Sequence, residues 1–251
     1  MLLRQLRNKI HTHGLVPALA YGMLHAGRSL LAPVRRRVWN SYAQAGEDRL
    51  LDRLLQGKRE GFYVDVGAHD PVRLSNTKRF YDRGWRGINI EPNPGAHARF
   101  SRQRPRDINL CCGAGAQCAE MEFHEMRNAT LSTGDPEQAV RAQRMGAQRV
   151  GIHRVPVRTL ADIFAEHVRE PIDFLSIDIE GMEEEVLRGN DWERWRPRFI
   201  CIEAVSETNV RQEPVLQERD RFLDGLGYRR RAVVRHLGRV LNAVYEDVRA
   251  S

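Results

Sequence analysis

The chain has little of what would narrow its class at once. Its 251 residues hold four cysteines, Cys111, Cys112, Cys118 and Cys201, and none has a metal-ligand or disulfide-framework spacing. Buried, reduced thiols are the expectation, which suits a cytoplasmic protein. A clean apolar run long enough to cross a bilayer is also missing. The stretch from Leu15 to Val34 is broken by Pro17, His25, Arg28 and Pro33, runs into Arg35-Arg36-Arg37, and ends in no small-residue cleavage site. Basic residues are nowhere interleaved with aromatics in the way that stacks bases, so nucleic acid is not an expected partner.

What remains is ordinary in bulk: 41% hydrophobic and 29% charged residues, enough chain for one α/β domain with a substantial core. The net charge of +7 and pI near 9.6 come mostly from arginine spread along the chain. Residues 1–40 read as a basic amphipathic extension. Either it packs on the domain, or residues 1–37 touch a partner or the inner face of a membrane as a peripheral contact. Residues 41–251 read as the domain itself.

That domain is organised around Gly61 to Pro92. The apolar run Phe62 to Val66 ends in Asp65-Val66-Gly67-Ala68-His69, a helical pattern follows, and a second run, Gly87 to Ile90, ends in Glu91. Strand, turn, helix, strand is the unit of a parallel sheet. Gly67 permits a sharp turn and close approach to a ligand, and a strand-end carboxylate such as Glu91 can accept bonds from the two hydroxyls of a ribose. Asp65 and Glu91 lie 26 residues apart, against roughly 20 in dinucleotide-binding folds, and the second and third glycines of that fingerprint are absent. A nucleoside ligand without phosphates fits better than a pyrophosphate. S-adenosylmethionine is the obvious one, with Asp65 and the Gly67 turn near its methionine.

Downstream, helices are expected at 41–55, 93–104, 160–169, 182–187 and 214–225, and strands at 107–111, 120–124, 172–179 and 199–204. The small-residue turn 112–115 leaves room for a flat ring such as adenine. Residues 126–151 read as a partly helical cap, and 228–236 with 240–248 as an antiparallel hairpin. Asp178, Glu180 and Glu203 fall at strand ends, on the edge where open α/β sheets bind ligands. They could act as a base toward an acceptor hydroxyl, or Asp178 and Glu203 could hold Mg²⁺ that acidifies it; Glu180 could equally be a helix-start carboxylate. His69 is a competing base, its ring titrating in the right range.

Together the stretches SYAQAGED (41–48), FYVDVGAHDP (62–71), SNTKRFYDRGWRGINIEPNP (75–94), VRTLADI (157–163), IDFLSIDIEGMEEEVLRGNDW (172–192) and RPRFICIEA (196–204), with the late GYRRR and LNAVY, resemble the FkbM-type S-adenosylmethionine-dependent methyltransferases. The resemblance implies a Rossmann-like class I methyltransferase fold, with a mostly parallel seven-stranded sheet, an antiparallel C-terminal hairpin and helices on both faces. It implies S-adenosylmethionine as donor and a small-molecule or glycan acceptor, often a sugar hydroxyl. Carried onto this chain, it assigns Asp65, Gly67, Ala68, His69, Ser75, Asn76, Glu91 and Asp178 to the cofactor, and Asp178, Glu180, Glu203 and His69 to catalysis. Pro71 is a departure from the family's turn and removes a backbone donor there. Transfer to a nitrogen or carboxyl of a small or lipid-linked acceptor, and an inactive scaffold at a membrane surface, are the alternatives.

Overall fold

The structure is a computed structural model, which describes residues 40–179, 181–204, 212–236 and 239–249. The N-terminal extension up to residue 39, Glu180 and the tip of the C-terminal hairpin therefore lie outside the described residues.

The period-2 strands of the Gly61 to Pro92 unit form as expected: β1 (Phe62–Val66) pairs in parallel with β2 (Arg86–Ile90), across the short helix α2 (Lys78–Arg83). Before them comes α1 (Glu47–Leu54), and after them α3 (Pro94–Gln103) and β3 (Ile108–Leu110). The expected helix 41–55 is shorter at its start, because Asp48 takes the Ser41 hydroxyl and the Tyr42 N–H and so holds residues 41–46 in an irregular turn. α3 begins where Asn93 accepts the Ala96 N–H and Pro94 occupies the first turn, the usual N-terminal arrangement.

The chain then leaves the main sheet. β4 (Gly113–Ala114), β5 (Ala119–Met126) and β6 (Arg149–Arg158) form a separate three-stranded sheet in the order β4-β6-β5, with α4 (Pro136–Arg144) between β5 and β6. The edge strand expected at 120–124 is thus longer and belongs to this insertion, and the last three residues of the expected cap, from 149, already belong to strand β6. Return to the main sheet runs through α5 (Leu160–His167), β7 (Phe174–Ile177), α6 (Glu183–Arg188), β8 (Phe199–Glu203), α7 (Gln212–Gly225), β9 (Tyr228–His236) and β10 (Arg239–Asp247).

The main sheet has seven strands in the order β3-β2-β1-β7-β8-β10-β9. All neighbours from β3 to β8 are parallel, β10 is antiparallel to β8, and β9 closes the edge against β10. The single antiparallel strand therefore lies one place in from the edge. Alternation along the strands sends Val64, Ile88, Leu175 and Ile200 to one face, under Leu160, Ile163, Phe164 and Val186, while Tyr63, Phe174 and Phe199 meet Leu51, Phe80 and Trp85 on the other. On that second face the Phe80 ring lies 4.8 Å from Phe174 and 4.9 Å from Trp85, centre to centre.

The thiols divide by position. Cys112 and Cys201 are buried, as expected, but Cys118 is exposed, in the turn before β5, where its thiol donates to Asp162. Among the described residues no helix is long and apolar enough to cross a membrane.

Phe174 is fully buried against the rings of Phe80 and Trp85. Phe174→Ala should lower unfolding free energy by about 3–5 kcal/mol, the range for buried aromatic truncations, read by urea denaturation. A loss below about 1 kcal/mol would mean that this face collapses around the gap.

Candidate active site

The strand order reverses between β1 and β7, and at such a switch point an open sheet leaves a crevice beyond its carboxyl ends. Register makes the ends level: Val66 lies opposite both Ile90 and Ile177. The Asp178 N–H extends the ladder by bonding to the Val66 carbonyl at 3.0 Å, and Gly67 N–H does the same with Ile90 at 3.0 Å. Gly67 has φ +75°, and a Cβ there would overlap the Asp178 carbonyl oxygen. Only glycine fits so close an approach at that backbone angle.

A cavity opens over these ends, bordered by Gly67, His69, Glu91 and Asp178. Glu91 is buried, and each of its oxygens takes a backbone donor: Oε2 from the His69 N–H at 2.7 Å and Oε1 from the Asn93 N–H at 2.8 Å. Burial outweighs both bonds and pushes its pKa up to about 7. Each oxygen keeps a lone pair for a ligand donor. His69 sits at φ +57°, uncommon for a residue with a side chain. Burial holds its ring below the usual histidine range, so it is neutral near pH 7.

The cavity continues from Glu91 past Cys112, Gly113 and Ala114, the small-residue turn. Its far wall comes from the insertion: Met121 and Phe123, the hydroxyl residues Thr130, Ser132 and Thr133, and Glu125. Glu125 is held below the ordinary carboxylate range, first by a 2.9 Å bond from His153 and then by the Asn93 side chain. Gln44, from the turn before α1, completes the opposite side.

The other expected residues are elsewhere. Asp65 is buried and turned away from the cavity: it shares the face of Tyr63 and accepts the Thr77 hydroxyl at 2.7 Å. Ala68 is buried behind the turn, Ser75 is bonded within the loop, and Asn76 donates to Ser176 on β7 at 3.1 Å. None of these four borders the cavity. Glu203 ends β8 outside the lining, its backbone carbonyl taking Arg219. Glu47 and Asp48, close in sequence to Gln44, do not border the cavity and are buried in bonds with Asn242 and Ser41. With Asp178 at the cavity and Glu203 outside it, and no cluster of three His, Cys, Asp or Glu among the described residues that could hold a metal ion, the residues present do not fit a bound Mg²⁺.

The lining has the chemistry that S-adenosylmethionine needs: a carboxylate, Glu91, with lone pairs free to accept from a diol, small residues that leave space for a flat ring, and three carboxylates, Glu91, Asp178 and Glu125, against the one guanidinium of Arg99, which suits a cation. The cap expected at 126–151 supplies Thr130, Ser132 and Thr133; the part played by Met121, Phe123 and Glu125 was not foreseen, because Glu125 and His153 meet only through the β5–β6 register.

The chain matches the family described as "Methyltransferase FkbM domain" over residues 65–230. No curated protein matches it. Among solved structures, a fibrillarin pre-rRNA processing protein of Methanococcus jannaschii is 13% identical, covering 75% of this chain and 67% of its own at a TM-score of 0.43. A putative rRNA methylase from Clostridium thermocellum is 8% identical, with 80% and 94% covered and a TM-score of 0.46. An O-methyltransferase from Bacillus cereus, solved with S-adenosylhomocysteine, is 13% identical, with 79% of each chain covered and a TM-score of 0.37. With the family match spanning well over half the sequence, on a seven-stranded sheet with its crevice at the switch point, the chain belongs to the FkbM methyltransferase family and is an S-adenosylmethionine-dependent methyltransferase.

Proposed function

We propose that the enzyme methylates a hydroxyl, that of a sugar in a glycan, polysaccharide or glycosylated metabolite. The observation behind this reading is the far wall of the cavity. It offers hydroxyls from Thr130, Ser132 and Thr133, an ionised Glu125 and the apolar faces of Met121 and Phe123. Such a wall suits a neutral acceptor with donor hydroxyls and one apolar face, and Glu125 would repel an acidic one.

The cofactor supplies an electrophilic methyl carbon on a sulfonium. In this reading Glu91 receives the ribose hydroxyls, the turn at Gly67 and His69 borders the methionine end, and Cys112 to Ala114 flank the ring. Asp65, Ala68, Ser75 and Asn76 support that turn from behind. Asp178 stands at the switch point between the two halves, where a base must take the acceptor proton; neutral His69 borders the same cavity. The chain's main contribution is to hold acceptor oxygen and donor carbon in line.

Two outcomes test the assignments. Ribose hydroxyls donate, so Glu91 serves them ionised, and binding must remove its proton below about pH 7. Affinity for S-adenosylhomocysteine should rise through that range, about tenfold from pH 6 to pH 8, then level off. Calorimetry of Glu91→Gln should show weaker binding without this pH dependence; a mutant that binds like wild type would remove the ribose contact.

For the acceptor, incubation with S-adenosylmethionine and a panel of neutral oligosaccharides, read by mass spectrometry, should give a product one methylene heavier that survives mild base. A base-labile product would indicate a carboxyl acceptor instead. Asp178→Asn should bind S-adenosylhomocysteine normally and lose about 10²–10⁴-fold in turnover, the range for a lost general base. Unchanged turnover would transfer that role to His69.

A further inference from the structure

We propose that Arg104 is a positioning residue for the cofactor, a buried cation that sets the shape of the loop between β1 and α2 and through it the affinity for S-adenosylmethionine. The inference rests on the reading that the cavity over Gly67 and Glu91 binds that cofactor.

The loop from Gly67 to Thr77 has no strand or helix to shape it, yet it brings His69 and Leu74 to the cavity. Both are non-glycine residues at positive φ, +57° and +55°, a conformation that persists only where its surroundings over-determine it. Arg104, just past α3, is fully buried. Its Nε donates to the Pro71 carbonyl at 2.9 Å, Nη2 to the same oxygen and to Ser75 Oγ at 2.8 Å, and Nη1 to Thr77 Oγ1 at 2.7 Å. One rigid guanidinium thus grips the loop on both sides of Leu74.

Counter-charge comes from two buried carboxylates. Thr77 donates its own hydroxyl to Asp65 Oδ2 at 2.7 Å, and Asp107 Oδ2 lies 4.0 Å from Nη1 while accepting the Tyr63 hydroxyl at 2.6 Å. The rings of Phe100 and Tyr81 flank the guanidinium at 5.2 and 5.6 Å. A cation is costly to bury and tolerated when every donor is met. Lysine has neither the planar fork nor the reach to bond Pro71, Ser75 and Thr77 together. Asp65 then acts as anchor for the loop's Thr77, which accounts for its burial away from the cavity.

An unclamped loop populates the binding shape less often, and apparent affinity falls in proportion to that fraction. S-adenosylhomocysteine binding to the full chain, measured by calorimetry, should weaken about tenfold in Arg104→Lys and several-fold in Thr77→Val, as for a loop competent about a tenth of the time. Leu223→Ala, a fully buried change on α7, is the control: it should lower Tm and leave affinity within about twofold of wild type. Should Arg104→Lys fail to fold, Thr77→Val carries the test. Folded variants that bind like wild type would overturn the inference alone. Wild type that binds no S-adenosylhomocysteine would remove the cofactor reading, and this inference with it.

Discussion

Everything at this site depends on how closely two backbones pass where the sheet changes winding direction. β1 and β7 are hydrogen-bonded neighbours, and the chain leaves them toward different faces, so their turns diverge over a gap. At the base of that gap Gly67 leaves no room for a side chain against the Asp178 carbonyl. The contact puts the turn proposed for the cofactor and the proposed base on the same cavity without either loop having to reach for the other. A bulkier residue at 67 would push the strand ends apart, and the level register of Val66, Ile90 and Ile177 would no longer bring Glu91 and Asp178 to a common opening.

Beyond the strand ends there is no ladder to fix the chain, and buried arginines do the fixing instead. Arg104 grips the loop after β1. On the other side Arg219, from α7, donates to the Glu203 carbonyl and lies 3.5 Å from Glu183, whose Oε1 in turn accepts the Gly181 N–H at 2.9 Å. The loop after β1 and the end of β8 are therefore each held by a guanidinium group reaching more than one acceptor, a geometry lysine cannot copy. Part of the chain's basic balance is thus internal wiring and not an outward-facing charged surface.

The strands and Glu91 were legible because an apolar run ending in an acid carries its own punctuation. The hairpin was legible too, though not that its second strand slips between β8 and the first. Asp65 shows where reading along the chain stops short. Its place in a strand says that it alternates with Val64 and Val66, but which face holds the cavity depends on what packs there, and Asp65 shares the Tyr63 face beside Thr77 and Arg104. Arg104 had no signal at all, being one arginine among many until the fold brings Pro71, Ser75 and Thr77 around it. The insertion was half legible: 126–151 read as a cap, but the β-branched residues of its strand, RVGIHRVPVR, are interrupted by Gly151 and Pro156, so it does not advertise itself as β6.

Asn93 joins the two halves of the site. Its backbone N–H holds Glu91 Oε1, its carbonyl oxygen Oδ1 caps α3 by accepting the Ala96 N–H, and its side chain also bonds Glu125 on the insertion. The carboxylate proposed for the ribose and the carboxylate proposed for the acceptor thus share one asparagine. One residue contacts both carboxylates. Coupling between two sites requires a group whose energy depends on both. In this fold Asn93, at the start of α3, is a residue that touches both the carboxylate proposed for the ribose and the one proposed for the acceptor.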